Sequence, residues 1–262
     1  MKPLFFLLCL SFALFAAKPY NEIELRRIAA LEQKVPFSFV VMGDNRDGDE
    51  ILKRILERLD KSEIIFAINN GDLVSHGFSW EFEEYREILK HSSKPIVSAI
   101  GNHEVPLLFG DESNFEKYIG KSSFSFSFVN SYFIFVDNAN KKRVAQKQME
   151  WLEKELRKSQ KYKYRFVFMH VPLFDPRKGK RARGHSMKDI QNAKELNSLF
   201  DRYEVTMLFA SHIHSYFKGK WSATPYIITG GAGAPNTRDG GFYHYIVVKV
   251  DKDGVEYMLK RL

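Results

Sequence analysis

Five short segments carry oxygen and imidazole donors directly after apolar runs: Gly43-Asp44-Asn45-Arg46, Asn70-Gly71-Asp72, Gly101-Asn102-His103-Glu104, His170, and Ser211-His212-Ile213-His214. Each alone has an ordinary explanation. A Gly-Asp pair after a strand is commonly a turn or a helix N-cap. A histidine after Phe166-Val167-Phe168-Met169 is commonly a core histidine with its hydrogen bonds satisfied. His212 and His214 are spaced i, i+2, which in an extended segment directs both rings to one side. Together the five make a donor set of carboxylate, amide carbonyl and imidazole, which suits Mn, Fe or Zn. Two such ions about 3.5–4 Å apart need at least one bridging carboxylate, and between them they hold a hydroxide that the cations make available near neutral pH. That hydroxide can attack phosphorus in line while the ions neutralise the phosphoryl oxygens.

The elements between these segments must bring them together. Apolar periodicity predicts strands at 37–42, 64–68 and 95–100 and helices at 47–59 and 80–89, a βαβαβ order that implies a largely parallel sheet with helices outside it. Residues 123–128 and 132–136 are aromatic and β-branched and read as a hairpin turning at Asn130-Ser131. A helix at 146–156, a strand at 164–169, a helix at 190–203 and a strand at 205–209 follow, and 218–259 is strand-rich with Gly turns. The pattern predicts two packed sheets with helices outside. In open α/β sheets ligands bind beyond the carboxyl ends of the strands, and all five donor segments stand there. Residues 18–34 read as a helical lead-in with Ile23, Ile28 and Leu31 on one face.

The ordered motifs Gly-Asp-Asn-Arg, Asn-Asn-Gly-Asp, Gly-Asn-His-Glu, the histidine of Met-His-Val-Pro, and Ser-His-Ile-His resemble those of calcineurin-like metallophosphoesterases, in the purple acid phosphatase order but without its Tyr ligand. The resemblance runs from about Phe37 to the Gly-rich stretch 229–235. It implies an α/β fold, an αββα sandwich of two mixed β-sheets flanked by helices. It implies that Asp72 bridges two divalent or trivalent ions (Mn, Fe or Zn), that Asp44 and His214 complete the first site, and that Asn102, His170 and His212 complete the second. His103 then stands near the leaving oxygen, as general acid or hydrogen-bond donor. Asn102, His103 and Arg46 are the expected contacts to the substrate.

Three positions depart from the family pattern. Arg46 stands where Asp-x-His is usual, and a permanently charged guanidinium cannot replace a neutral imidazole ligand. Water or Asn45 is then expected to complete the first site, and Arg46 either grips a phosphate oxygen or pairs with Asp47 or Asp49. Ser75 replaces the last Asp of Gly-Asp-x-x-Asp, so a carboxylate that would orient His103 is missing. Ser211 replaces the Gly before His-x-His, a small change. His76 and His185 lie beside motifs and either face substrate or sit on the surface.

Length and composition fit one soluble domain: 262 residues, 44% hydrophobic and 27% charged, with 23 Phe that point to a packed sheet core. The expected organisation is a signal peptide or uncleaved anchor at 1–17, a lead-in at 18–36 and a metallophosphoesterase domain at 37–262. Lys2 precedes an apolar run, 4–17, which is shorter than the roughly 20 residues of a membrane span and ends in Ala16-Ala17. The expected location is therefore outside the cytoplasm, periplasmic or secreted, with any membrane contact through that leader. The sole cysteine, Cys9, falls in this segment, which excludes disulfides, thiolate ligands and a Cys nucleophile from the remainder. A net charge of +8 favours an anionic, phosphorylated substrate. Part of the excess is a basic loop, Arg177, Lys178, Lys180, Arg181 and Arg183, which reads as solvated. No nucleic-acid-binding module is present in the sequence. The expected reaction is phosphomonoester hydrolysis by attack of a metal-bridging hydroxide. The alternatives are a phosphodiesterase with the same site, and a degenerate, non-catalytic metal- or phosphate-binding protein.

Overall fold

A computed structural model of the chain describes residues 18–106, 110–178, 184–236 and 241–262. The 1–17 leader with Cys9, and Lys180, Arg181 and Arg183 of the basic loop, lie outside the described residues.

Two mixed sheets face each other. The first has strand order β11 (Val255–Arg261), β10 (His244–Val250), β1 (Phe37–Met42), β2 (Phe66–Asn69), β3 (Ile96–Ser98), with β1, β2 and β3 parallel and β10 antiparallel to both its neighbours. The second runs β4 (Phe124–Phe128), β5 (Ser131–Phe135), β6 (Tyr164–Phe168), β7 (Met207–Ala210), β9 (Thr224–Thr229), β8 (Tyr216–Trp221), parallel from β5 to β9 and antiparallel at both edges. Strand alternation decides what lies between them. Phe39 and Val41 of β1 point inward with Phe66, Phe133, Phe166, Phe168 and Phe209, while Val40 and Met42 point outward to the helices. Phe39 meets Phe133 and Phe166 edge-on at 5.3 and 5.4 Å, a favoured aromatic geometry.

The outer faces are covered by amphipathic helices. α2 (Asp49–Asp60) buries Leu52, Ile55, Leu56 and Leu59 on the first sheet, beside α3 (Ser79–Leu89) and the short α4 (Ser113–Tyr118). α5 (Gln146–Ser159) and α6 (Ile190–Arg202) cover the second sheet through Leu152, Leu156, Leu196 and Phe200. The chain is thus an αββα sandwich.

Two local readings of the sequence need correction. The hairpin turns at Val129-Asn130, because Ser131 already pairs with Phe128 inside the ladder; Val129 takes the left-handed conformation, φ 51°. The lead-in helix α1 (Tyr20–Ala29) buries Ile28 in the inter-sheet core with Leu31 packed against it, as expected, but Ile23 does not share that contact. Ile23 is 40% exposed, while Asn21 and Glu24 are buried. β3 is an edge strand, and its outward groups need partners. The Asn21 amide donates to Ser98 O (2.8 Å) and accepts from Ser98 N (2.9 Å), and Glu24 accepts from Ile96 N (3.0 Å).

Candidate metal centre

All five donor segments meet at the carboxyl ends of the central strands. Asp44 follows β1, Asp72 follows β2, Asn102 follows β3, His170 follows β6, and His212 and His214 follow β7. The strands end in left-handed backbone at Asp44 (φ 60°), Asp72 (φ 54°) and His212 (φ 66°), which turns each side chain over the sheet edge. Non-glycine residues seldom adopt that conformation, and Asp and His tolerate it better than most. Glycines provide the clearance. A Cβ on Gly71 would lie 2.7 Å from His170 Nδ1, and one on Gly230 would lie 2.6 Å from Asp44 Oδ2.

The loops are strapped to one another. Asp44 N donates to Gly71 O (3.0 Å) and Arg46 N to Asp72 O (3.1 Å). Glu104, fully buried, accepts from the backbone N–H of Asp72 (2.9 Å), Leu73 (2.7 Å), Val74 (3.1 Å) and Gly101 (2.5 Å). Burial and the Asp72 charge push the Glu104 carboxyl up to about 8, and the N–H groups work in the other direction by stabilising its anion. Sequence reasoning left Glu104 without a role. Its position directly after Asn102-His103 was the available signal.

The donors form two trios with Asp72 in common: Asp72, His170 and His212, and Asp44, Asp72 and His214, with ligand atoms in each within 4.8 Å of one another. His170 Nε2 lies 3.1 Å from Asp72 Oδ1 and 3.9 Å from Asp44 Oδ1, and His214 Nε2 lies 3.4 Å from Asp44 Oδ1. Backbone acceptors fix the rings. His170 Nδ1 donates to Asn70 O (3.0 Å) and His214 Nδ1 to Pro235 O (2.7 Å), which leaves each Nε2 facing the carboxylates. Asp44 Oδ1, Asn102 Oδ1 and His170 Nε2 are buried without an aligned hydrogen-bond partner. Buried polar atoms are normally satisfied, so three such atoms in one donor set fit metal ligation.

The electrostatics point the same way. Burial lowers His170, but the charges of Asp72 and Asp44 outweigh it and lift the imidazole to about 9. Burial raises Asp72, yet His170 and His103 hold it well below the usual carboxylate range. Burial and the neighbouring His170 lower His212 to about 2. Burial lowers His214 and Asp44 more than reverses this. The carboxylates draw positive charge into the pocket, onto His170 and His214, and a metal ion bound there would displace those protons, since an imidazole ligand is neutral.

At the mouth, Arg46 NH1 lies 2.9 Å from His103 Nε2, and His103 Nδ1 donates to the carbonyl of Ser75 (2.7 Å). His103 N donates to Asp72 Oδ1 (3.0 Å). The ring of His185 lies 5.7 Å from that of His212, whereas His76 is exposed.

The family model for calcineurin-like phosphoesterases matches residues 37–216, a span that includes every one of these donors. The chain belongs to the calcineurin-like phosphoesterase family. It is 29% identical over 208 residues to purple acid phosphatase 21 of Arabidopsis thaliana, 71% of this chain and 46% of that one. Its fold is that of a purple acid phosphatase from yellow lupin seeds (TM-score 0.73, 15% identity, 87% of this chain and 52% of that one). The chain therefore spans about half the length of these two relatives. The fold is also that of a dimetal phosphatase from Danio rerio (TM-score 0.64, 13% identity, 86% and 96%) and of GAP50, the anchor in the inner membrane complex of Plasmodium (TM-score 0.66, 13% identity, 87% and 85%).

Within this calcineurin-like phosphoesterase the departures from the family pattern resolve structurally. Asn45 is not available to complete the first site. Its amide donates to Leu73 O (2.8 Å) and accepts from Asn69 (2.7 Å) in the core. Arg46 meets His103 and not Asp47 or Asp49; the Ser75 hydroxyl takes Asp47 instead. The missing carboxylate behind His103 is replaced by the backbone carbonyl of Ser75 itself. Arg177 is not a free basic group, because its guanidinium grips Asp175 through Nε (2.9 Å) and NH2 (2.7 Å).

Proposed function

We propose that this phosphoesterase hydrolyses a phosphomonoester with two metal ions, held by Asp44, Asp72 and His214 and by Asp72, Asn102, His170 and His212. The observation that carries the reading is the carboxylate of Asp72 shared by two donor trios. Bound there, the ions supply Lewis acidity and an acidified water at neutral pH. The chain's own residues do the rest. Arg46 offers a fixed charge to a phosphoryl oxygen, and an arriving dianion displaces it from His103 Nε2. With Nδ1 committed to Ser75 O, a proton on Nε2 makes His103 an imidazolium that donates to the leaving oxygen. Two donors converging at the mouth suit a dianionic monoester better than a diester, and the Arabidopsis relative is named a phosphatase.

The proposal includes export, resting on the apolar run 4–17 and its small-residue end. Among the described residues, no helix is long and apolar enough to cross a membrane. N-terminal sequencing of the recovered protein tests it, and an intact Met1 in the cytoplasmic fraction would overturn it.

The decisive assay sets an aryl phosphomonoester beside its matched diester, using Mn-reconstituted protein. The expected result is faster monoester turnover. Faster diester turnover selects the phosphodiesterase. No turnover of either, with one ion or none bound per chain, selects the binding protein, a reading that Arg46 in a ligand position favours.

A further inference from the structure

Beside the mouth stands a rigid aromatic strip that the hydrolytic reading does not use. His76, Phe78 and Trp80 stack in sequence, His76 on Phe78 at 5.9 Å and 22°, Phe78 on Trp80 at 6.5 Å and 21°. Phe78 is 49% and Trp80 54% exposed, among the few large apolar side chains left in solvent. Exposed rings on a mobile loop would mean little, but this backbone is held. Glu81, itself buried, accepts from the N–H groups of Ser75 (3.2 Å), His76 (3.2 Å) and Phe78 (2.8 Å). Asn114 donates to Gly77 O (2.9 Å).

The strip is joined to the site on two sides. The carbonyl that orients His103 belongs to Ser75, the residue before His76. Gly77 (φ 75°) presses on the His103 loop so closely that a Cβ there would lie 2.6 Å from Glu104 O. Arg46 and Trp80 line one crevice of about 120 Å³ together with Ser75, Asp47, Asp49 and Glu84, and Phe78 adjoins it through its stack on Trp80. Its carboxylates repel a second phosphate and accept hydrogen bonds from hydroxyl or amine groups. What lies along it is therefore not an anionic part of the substrate, and the exposed ring faces offer that part a stacking surface.

We propose that the Phe78–Trp80 strip is the leaving-group subsite and that the substrate is a phosphomonoester whose leaving group carries an aromatic ring, a nucleoside or a phenol. The inference rests on the hydrolase reading above and adds the substrate class to it. Stacking is the same in ground and transition states, so its loss falls on KM.

The test uses the Mn-loaded protein with adenosine 5′-monophosphate, phenyl phosphate and glycerol 2-phosphate. In Phe78→Ala and Trp80→Ala, the ratio of aromatic-substrate KM to glycerol-phosphate KM should rise about tenfold, within the roughly 5- to 150-fold span of one stacking contact. Phe78→Tyr and Trp80→Phe should keep the wild-type ratio. A rise for the nucleotide alone, or for phenyl phosphate alone, upholds the subsite and names its source. An unchanged ratio for both overturns it. If the wild type turns over none of the three, the monoesterase reading itself falls, which is a different failure.

Discussion

At the residue scale, the two metal positions are unequal. In the proposed assignment one has four protein donors, Asp72, Asn102, His170 and His212, whereas the other has Asp44, Asp72 and His214 beside the Arg46 charge, which opposes protonation of His214. Calorimetric titration of metal-free protein should therefore show a tight first ion and a weaker second. Arg46→His supplies an imidazole and removes a cation, and should tighten the second ion by about tenfold, the scale of a site's orienting partners. Two equal sites in the wild type would contradict this. Asp72→Ala should cost more than the roughly 10–100-fold of an outer-shell partner and reduce binding to one ion at most. A variant that still binds two ions removes Asp72 from the bridge. The donor types and their order after apolar runs were legible in the sequence because metal chemistry restricts them to a few residues. The pairing of Arg46 with His103, the use of Ser75 O, and the loss of Asn45 to the core were not, since each depends on distances across loops that share no periodicity.

At the element scale, apolar period identified the strands and the outer helices, because burial of one face imposes a repeat of 2.0 or 3.6. It failed where polar groups do the docking. α1 docks through Ile28, which the period did identify, and also through Asn21 and Glu24, because an edge strand requires hydrogen bonds and hydropathy is blind to that requirement. The six-residue α4 is too short to show a repeat. Asn21→Ala leaves both Ser98 N–H and C=O without partners, at about 1–3 kcal/mol each for buried groups. Thermal unfolding should register a loss of about 2–6 kcal/mol, or a fall in Tm on the order of 5–20 °C. Ile23→Ala, at an exposed position, should stay within about 0.5 kcal/mol. If the two variants behave alike, Ile28 and not Asn21 holds α1.

For the whole molecule, the proposed metal site would also be a fastener. Asp44, Asp72 and Asn102 come from the first sheet, and His170, His212 and His214 from the second. Beneath them the sheets adhere through the Phe39–Phe133–Phe166 layer, which needs no ion. The metal-free protein should therefore stay folded while the strand ends above that layer loosen. An ion at about a thousand times its Kd adds about 4 kcal/mol, on the order of 10 °C in Tm for a chain of this size. Because the ligands span both sheets, Mn should slow amide exchange together in the loops after β2 and β3 and in those after β6 and β7. Chelation should reverse both effects, and Asp72→Ala should uncouple the two sets of loops. Protection confined to one sheet would mean that the ions belong to that sheet alone, and the shared-carboxylate arrangement would then fail as the basis of the reaction.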